Sequence, residues 1–213
     1  MLGTGMVGQA LASRLLECGH DVVMGARDAA NVRAAGWAAD HPGGRVGTFA
    51  DAADHAEVLV NATAGVASLD ALAAAGAPGT VDGKVLVDVA NPLDFSAGMP
   101  PVLSVVNSDS LAEQIQRAYP AARVVKALNT INASVMVRPE LVPGEHHTFV
   151  AGDDPEAKRV VTGLLTEFGW PAERVLDLGG IQAARGLEMY LPLWLSLMAA
   201  QNTATFNIRV VRA

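Results

Sequence analysis

Short apolar runs alternate with longer stretches of helical periodicity along most of this chain. The runs of strand length are Asp21–Gly25, Val46–Phe49, Val58–Asn61, Lys84–Val89, Arg123–Lys126, Thr148–Ala151 and Val175–Leu178. Several of the stretches between them are rich in alanine and leucine and are long enough for helices. This alternation predicts βαβ units and an α/β fold, in which a doubly wound parallel sheet carries helices on both faces.

Capping residues mark two helix starts. Ser110 and Glu113 have the spacing of a capping box. Asp154 precedes Pro155, which places an N-cap before a proline at the first helical position. The helix after Asp154 has an apolar stripe and ends at Gly169. We therefore expect well-defined helices after both positions.

The stretch from Arg185 to Thr203 has almost no polar face. A helix that is apolar all round must be buried all round, either inside the protein or against a second copy of the chain. The tail Phe206–Val211 alternates weakly, which is consistent with an edge strand. We expect a sheet domain over residues 1–150 and a small C-terminal extension over residues 151–213 that contacts a second copy in a homodimer.

A glycine motif opens the chain and runs directly into a helical pattern. The motif, G-x-G-x-x-G, comprises Gly3, Thr4, Gly5, Met6, Val7 and Gly8. Its glycines permit a tight turn, close approach of a pyrophosphate and close helix–strand packing, and the helix N-terminus faces the phosphates. Only Met1 and Leu2 precede it, so we expect either a start site placed too late or a first strand reduced to a stub. The alternative is a glycine-rich loop with no ligand.

The carboxyl ends of the predicted strands supply the other candidate residues, because ligands lie there in doubly wound sheets. Arg27 stands where an NAD-specific site has an acidic residue, and a guanidinium there can pair with the 2′-phosphate of NADP(H). Asp28 is the competing residue, since it can pair with Arg27 or bind the ribose. The remaining cofactor contacts are predicted at Ala62, Thr63, Ala64, Asn91, Pro92 and Asn129. Lys126 is the one candidate proton donor, and a paired or solvated charge is its alternative role.

Composition narrows the class of protein. The 213 residues are 51% hydrophobic and 17% charged, which is typical of a well-packed globule. The net charge is −7 and there is no basic run, so nucleic acid and membrane surfaces are poor partners. The single cysteine, the lack of a signal peptide and the absence of a membrane-length apolar stretch predict a cytoplasmic location. No metal-ligand cluster, serine-hydrolase elbow or P-loop is present.

Four blocks occur in an order that resembles the NADP oxidoreductases of the deazaflavin (coenzyme F420) type, and also the reductase domain of the six-transmembrane metalloreductases. The blocks are residues 3–8, Gly25-Ala26-Arg27-Asp28, Val89-Ala90-Asn91-Pro92-Leu93 and Val125-Lys126-Ala127-Leu128-Asn129-Thr130. The resemblance implies a Rossmann domain with a small C-terminal extension, a dimer, and NADP(H) on the glycine loop with Arg27 at its 2′-phosphate. It also implies hydride transfer between nicotinamide and a deazaflavin or flavin ring lying near Asn129, Thr130 and residues 179–181.

Two positions depart from the family pattern. The family commonly has a serine or threonine where Ala26 stands, and often a second basic residue where Asn31 stands. We place both among the cofactor contacts. The sequence therefore predicts an NADP(H)-dependent oxidoreductase that passes hydride between NADPH and a deazaflavin or flavin. The alternatives are an NADPH-dependent reductase of a small carbonyl, imine or quinone, which requires a proton donor, and a non-catalytic NADP(H)-binding sensor.

Overall fold

The chain alternates strands and helices, as its hydrophobic pattern predicts. A computed structural model describes all residues, 1–213. The strands are β1 (Val23–Ala26), β2 (Arg45–Thr48), β3 (Val58–Asn61), β4 (Val85–Asp88), β5 (Leu93–Asp94), β6 (Val102–Leu103), β7 (Arg123–Ala127), β8 (Thr148–Ala151) and β9 (Val175–Asp177). The helices are α1 (Met6–Glu17), α2 (Val32–Asp40), α3 (Phe49–His55), α4 (Ser68–Ala74), α5 (Leu111–Ala118), α6 (Ala133–Val137), α7 (Pro155–Glu167), α8 (Ala184–Met189) and α9 (Leu191–Gln201). No helix is both long enough and apolar enough to cross a membrane.

The main sheet has the strand order β2-β1-β3-β4-β7-β8-β9, and Leu2 joins its two parts. Leu2 bridges Gly25 of β1 and Asn61 of β3 in parallel register. The Leu2 amide donates to the carbonyl oxygen of Val60, and the Ala62 amide donates to that of Leu2, both at 2.8 Å. A stub of one or two residues therefore takes the central place of the expected first strand.

The sheet is mostly parallel, which confirms the α/β Rossmann-type fold, but one strand pair differs from the prediction. β7 and β8 are antiparallel, with Lys126 opposite Ala151, and β8 and β9 run parallel to each other. Because β8 spans residue 150, the sheet continues across the predicted boundary between residues 1–150 and 151–213. That division stays a prediction.

Alternate side chains of the central strands pack on opposite faces of the sheet. Val87 and Val125 belong to a cluster that includes side chains from α1 and α7. Leu86 and Val124 belong to a second cluster with side chains from α3, α4 and α5. The near-continuous apolar strands are thus explained by a sheet that is covered on both sides.

The two predicted helix starts have different outcomes. Asp154 Oδ1 accepts from the Ala157 amide at 2.9 Å, which confirms the N-cap of α7. Ser110 Oγ accepts from the Glu113 amide at 3.1 Å, so it caps α5 as expected. The Glu113 carboxylate, however, accepts from Nε and Nη2 of Arg185 at 2.8 and 2.7 Å instead of closing a capping box. The predicted box is therefore only half formed.

The C-terminal segment lies on the surface. Only Leu191 of α9 is buried, and Leu193 is 56% exposed, so the alternative of a wholly internal helix is wrong. The predicted edge strand at Phe206–Val211 is also wrong, because the residues after 204 have no regular secondary structure. They follow β8 only through isolated bonds such as His147 N–H to the Ile208 carbonyl at 3.0 Å.

Candidate active site

The three glycines of the opening motif have different roles. Gly3 has a φ of +110°, and a Cβ there would lie 2.5 Å from the Ala62 carbonyl oxygen. A Cβ on Gly8 would lie 2.2 Å from the Gly3 carbonyl oxygen. A Cβ on Gly5 would meet nothing within 4 Å. Gly3 and Gly8 are therefore required by the protein's own packing, whereas Gly5 keeps a space open.

That space lies at the N-terminus of α1. Gly5 is the N-cap of this 12-residue helix, no side chain caps it, and its first turn carries no acidic residue. The first amides of a helix have no partner within the helix, and the helix dipole adds a partial positive charge. The turn can therefore receive an anionic group, as a pyrophosphate-binding turn requires.

A cavity of about 450 Å³ opens beside this turn, and we call it the arginine cavity. It is lined by Gly3, Thr4, Gly5, Ala26, Arg27, Asn31, Arg33, Phe49, Ala62, Thr63, Ala64, Ala67, Asp70, Ala71 and Ala74. Of the contacts predicted in the glycine motif and after β1, this lining contains Gly3, Thr4, Gly5, Ala26, Arg27 and Asn31. Val7 lines the second cavity described below, whereas Met6 is 74% exposed and Gly8 is buried, and neither of these two lines a cavity described here.

Two guanidiniums reach the arginine cavity. Arg27 and Arg33 are both exposed there, and neither side chain forms a hydrogen bond or an ion pair within the protein. Asp28 does not pair with Arg27, since its Oδ1 accepts from the Ala30 amide at 2.9 Å. The Asn31 oxygen is occupied as the N-cap of α2, where it accepts from two amides at 3.1 Å. The sequence analysis missed Arg33, although its place two residues after the N-cap Asn31 could have pointed to it.

A second cavity, of about 380 Å³, shares Ala62, Thr63 and Ala64 with the first, and we call it the apolar cavity. Its full lining is Val7, Ala62, Thr63, Ala64, Gly65, Val66, Val89, Ala90, Asn91, Leu93, Asp94 and Phe95. Asp94 is its only ionisable side chain, and the Ser96 amide that donates to it holds its pKa below the usual range. This cavity therefore contains no side chain suited to donate a proton near neutral pH.

The strand register places three polar side chains in a row behind the two cavities. Asn61 lies opposite Asp88, and Asp88 lies opposite Lys126, at the carboxyl ends of β3, β4 and β7. Asn61 Nδ2 donates to Asp88 Oδ1 at 2.9 Å, and Asn61 Oδ1 accepts from the Thr63 hydroxyl at 2.7 Å. Because Thr63 lines both cavities, a continuous chain of hydrogen bonds leads from the cleft into the protein.

Lys126 terminates this row and is fully buried. Its Nζ lies 2.8 Å from Asp88 Oδ2 and 2.8 Å from Glu188 Oε1, and it also donates to the Ala90 carbonyl oxygen. Burial disfavours the charge, but the two carboxylates outweigh it and the pKa of Lys126 is raised. With its three protons committed and no exposed surface, this geometry does not support Lys126 as a proton donor to a substrate.

Glu188 connects the row to the C-terminal segment. Its carboxylate accepts from the Leu111 and Ala112 amides at 2.8 and 3.2 Å, so a side chain of α8 caps α5. Burial raises the pKa of Glu188, against the opposing effect of Lys126. The sequence analysis missed this residue, because nothing local to α8 indicates a partner at the end of the sheet.

The predicted asparagines bond to each other. Asn129 Nδ2 donates to Asn91 Oδ1 at 2.9 Å, and Asn91 Nδ2 donates to the Asn129 carbonyl oxygen at 2.8 Å. Asn129 Nδ2 also donates to the Leu187 carbonyl oxygen of α8 at 3.0 Å. Asn91 lines the apolar cavity, whereas Asn129 and Pro92 are buried behind it.

The structure does not bring the expected acceptor residues to the cavity. Thr130 is buried, and residues 179–181 pack near Asp153 beyond the end of β9, where the Ile181 amide donates to Asp153 Oδ1 at 2.9 Å. None of them lines either cavity. Instead, Val66, the two residues of β5 and Phe95 after it complete the wall of the apolar cavity, and β5 forms a short hairpin with β6. A two-residue strand carries no periodic signal, so the sequence pattern did not predict this hairpin.

Comparison with known proteins identifies the family. A profile described as NADP oxidoreductase, coenzyme F420-dependent, matches residues 1–92. The chain is 30% identical over 217 residues to the F420-dependent NADP reductase of Methanothermobacter thermautotrophicus, which covers 98% of this chain and 91% of that protein. The chain belongs to the coenzyme F420-dependent NADP oxidoreductase family. It is an NADP-dependent oxidoreductase.

Two further relatives place this NADP oxidoreductase more closely. A crystal structure of an Arthrobacter sp. FB24 protein, named as a candidate F420-dependent NADP reductase, superposes with a TM-score of 0.94 and 50% identity, covering 99% of this chain and 97% of that one. Metalloreductase STEAP3 of Rattus norvegicus is 32% identical over 202 residues, but the oxidoreductase covers only 37% of that protein. The resemblance drawn from the four sequence blocks is confirmed.

Proposed function

We propose that this oxidoreductase transfers hydride between NADP(H) and the ring of a deazaflavin, coenzyme F420, with a flavin as the second acceptor of the same type. The observation that carries the proposal is the continuous cleft formed by the arginine and apolar cavities along the carboxyl ends of β1, β3 and β4. Ligands bind at this edge in doubly wound sheets. The names of the methanogen and Arthrobacter relatives support F420 as the acceptor.

The arginine cavity fits the adenosine half of NADP(H). The open space at Gly5 and the free amides of α1 would take the pyrophosphate. Arg27 and Arg33 would pair with the 2′-phosphate, each through charge-assisted hydrogen bonds. Ala26 and Asn31 are the two departures from the family pattern. Arg33 would supply the contact to the 2′-phosphate that these two residues do not.

The apolar cavity fits the nicotinamide and the ring that exchanges hydride with it. When both are bound, NADPH, the oxidised ring and one proton from solvent give NADP⁺ and the reduced ring. The protein's part is to orient the rings and exclude water, with Val7, Val66 and Phe95 as apolar walls. No side chain of the cavity has to move a proton.

A reductase of small carbonyls or imines has less support. Such a reaction needs a proton donor within hydrogen-bond reach of the substrate. Lys126 is fully buried and Asp94 is held ionised, so neither side chain can serve as that proton donor. A sensor that binds NADP(H) without turnover would have the same cleft. Only an assay of hydride transfer distinguishes such a sensor from an enzyme.

Calorimetric titration followed by anaerobic mixing tests the proposal. We expect NADPH to bind more tightly than NADH. Arg27→Ala and Arg33→Ala should each weaken NADPH binding about 10-fold or more, since hydrogen bonds to charged groups contribute about 1.5–3 kcal/mol. The binding of NADH, which has no 2′-phosphate, should change little in both variants. Arg159→Ala, on α7 and paired with Glu156, is the control. Absorbance of coenzyme F420, or of FMN, then reports hydride transfer. If neither nucleotide binds, the proposal fails; tight NADPH binding without transfer to either ring identifies a sensor.

We also propose that α9 contacts a second copy of the chain. Leu193 is 56% exposed on a helix that has no polar face, and a homodimer would cover it.

A further inference from the structure

The side chain of Thr63 belongs to the stretch that the arginine and apolar cavities share. Its hydroxyl contacts two side chains of the protein, with Asn61 Oδ1 at 2.7 Å and Ser68 Oγ at 3.0 Å. Both partners are fully buried, so water cannot replace these bonds. The direction of each bond therefore determines which hydrogen bond the hydroxyl can still form with a ligand.

The direction of these bonds is set at the far end of the buried row. The Lys126 ammonium can only donate, so Asp88 Oδ2, which it contacts, is an acceptor. A backbone amide can also only donate, and the Ala90 amide donates to Asp88 Oδ1 at 3.2 Å. Both oxygens of Asp88 therefore accept, and the atom of Asn61 that lies 2.9 Å from Oδ1 is the amide nitrogen.

Asn61 passes this direction on to Thr63. Its Nδ2 has two protons, which go to Asp88 Oδ1 at 2.9 Å and to Ser68 Oγ at 3.0 Å. Its Oδ1 therefore faces Thr63, where it accepts from the backbone amide at 3.3 Å as well as from the hydroxyl. The single proton of the Thr63 hydroxyl is thus committed to Asn61, and Ser68 is the donor in its contact with Thr63. A hydroxyl has one proton and two lone pairs, so one lone pair of Thr63 remains for a ligand.

We propose that Asn61 is a positioning residue for the cofactor: it makes the Thr63 hydroxyl an acceptor, which takes a hydrogen bond from an uncharged O–H or N–H group in the nicotinamide half of NADP(H). An ionised phosphate oxygen has no proton to donate and gains nothing at this position. The pyrophosphate is thereby kept at the turn around Gly5, whereas a ribose hydroxyl or the carboxamide amino group can bond to Thr63. This inference rests on the proposed function and adds to it the groups that fix how far the cofactor reaches along the cleft.

Calorimetric titration with three ligands of increasing length tests this role without turnover. Adenosine 2′,5′-bisphosphate contains only the adenosine half, 2′-phospho-ADP-ribose adds the second ribose, and NADP⁺ adds the nicotinamide. We expect Thr63→Val to weaken NADP⁺ binding about 5-fold or more, since one hydrogen bond is lost, and to leave the bisphosphate within about 2-fold. Thr63→Ser, which keeps the hydroxyl, should bind all three ligands like the wild type.

The middle ligand identifies the donor. An equal loss for 2′-phospho-ADP-ribose and NADP⁺ in Thr63→Val assigns the donor to the ribose, whereas a loss confined to NADP⁺ assigns it to the carboxamide. Unchanged NADP⁺ binding, or an equal loss for the bisphosphate, overturns the proposal. Because valine has the shape of threonine, this test does not depend on a variant that disturbs the fold.

Asn61→Leu tests whether Asn61 acts through Thr63. It should weaken the same ligands as Thr63→Val, and the double variant should bind no more weakly than Thr63→Val alone, because both changes remove one interaction. If the Thr63 hydroxyl donated to the cofactor instead, Asn61→Leu would release its proton and leave binding unchanged or tighter, and the proposal would be wrong. Glu113→Gln is the control, because it removes a buried contact with Arg185 and neither residue lines the two cavities.

Failure of this inference and failure of the proposed function give different results. If NADP⁺ binds and the variants behave as expected, but neither coenzyme F420 nor FMN exchanges hydride, the role of Asn61 stands and the proposed reaction fails. If hydride transfer occurs while Thr63→Val binds NADP⁺ as tightly as the wild type, the reaction stands and the role of Asn61 is wrong.

Discussion

Replacing Lys126 by methionine removes the only cation from the buried row at the end of the sheet. Its Nζ lies 2.8 Å from a carboxylate oxygen of Asp88 and 2.8 Å from one of Glu188, and none of the three side chains has appreciable exposure. Methionine keeps the length of the side chain and its apolar stem. The substitution therefore leaves the packing nearly intact, but the two buried carboxylates of Asp88 and Glu188 no longer have a cation between them.

The loss in the free energy of unfolding can be estimated from the contacts that remain in the variant. Removing one partner of a buried ion pair costs about 3–5 kcal/mol, because the other charge is left uncompensated. Asp88 retains bonds from Asn61 Nδ2 and the Ala90 amide, and Glu188 retains two amides of α5. We therefore expect a loss near the lower limit, about 3 kcal/mol, which for a protein of this size lowers Tm by about 6–12 °C.

Urea and thermal unfolding at neutral pH measure this loss. Lys158→Met is the matched control, because Lys158 pairs with the exposed Asp177 and should cost less than about 1 kcal/mol. Lys126→Met combined with Glu188→Gln should recover part of the stability, since one of the two carboxylates is then neutral. If Lys126→Met unfolds like the control, the buried row contributes little and the reasoning is refuted.

The same variant has a predictable pH dependence. Burial raises the pKa of Glu188 above its ordinary value, and loss of Lys126 removes the main opposing effect, so the folded state takes up a proton more readily than the unfolded chain. For an acid whose folded pKa is raised, stability is greatest below the unfolded pKa and falls as the pH rises toward the folded pKa. The deficit of Lys126→Met relative to wild type should therefore be smaller at pH 5 than at pH 8. A constant deficit across that range would assign the loss to packing.

The remaining predictions concern the glycine turn, a surface ion pair and the C-terminal helix. Gly5→Ala should leave Tm unchanged, because a Cβ there meets nothing within 4 Å, yet it should weaken NADPH binding about 10-fold or more. Gly8→Ala should lower the free energy of unfolding in urea by about 1–3 kcal/mol, because its Cβ would lie 2.2 Å from a carbonyl oxygen. Equal effects of the two substitutions on Tm would contradict this prediction. The Arg117 guanidinium lowers the pKa of Asp109 to about 2, so the stability that the pair contributes is complete above the unfolded pKa of 3.8 and is lost as the pH falls toward 2. Because the pair is partly exposed, Asp109→Asn should cost only about 1 kcal/mol at pH 7 and about half of that at pH 3, and a loss that does not shrink on acidification would argue against the pair. Leu193→Glu should convert a dimer to a folded monomer in sedimentation velocity, and a wild-type protein that sediments as a monomer would remove the proposed contact.

The sequence pattern was sufficient for features that depend on neighbouring residues. β3 and β8 have the predicted bounds, and Asp154 caps α7 as expected, because apolar runs and caps act over a few residues. The glycine turn was also recognisable from the sequence, since Gly3, Gly5 and Gly8 all lie in one turn and at the start of one helix. These local signals were enough to predict the α/β class and the glycine turn at which we propose that the pyrophosphate binds.

Tertiary structure decided the features that depend on distant residues. Lys126 was a candidate proton donor in the sequence, and only the register of β3, β4 and β7, together with Glu188 from α8, shows that its protons are committed. Glu113 has the spacing of a capping box, but Arg185, 72 residues away, takes its carboxylate. Strand order and register are fixed by packing on both faces of the sheet, and a local pattern carries no information on which distant charge will lie beside a given side chain.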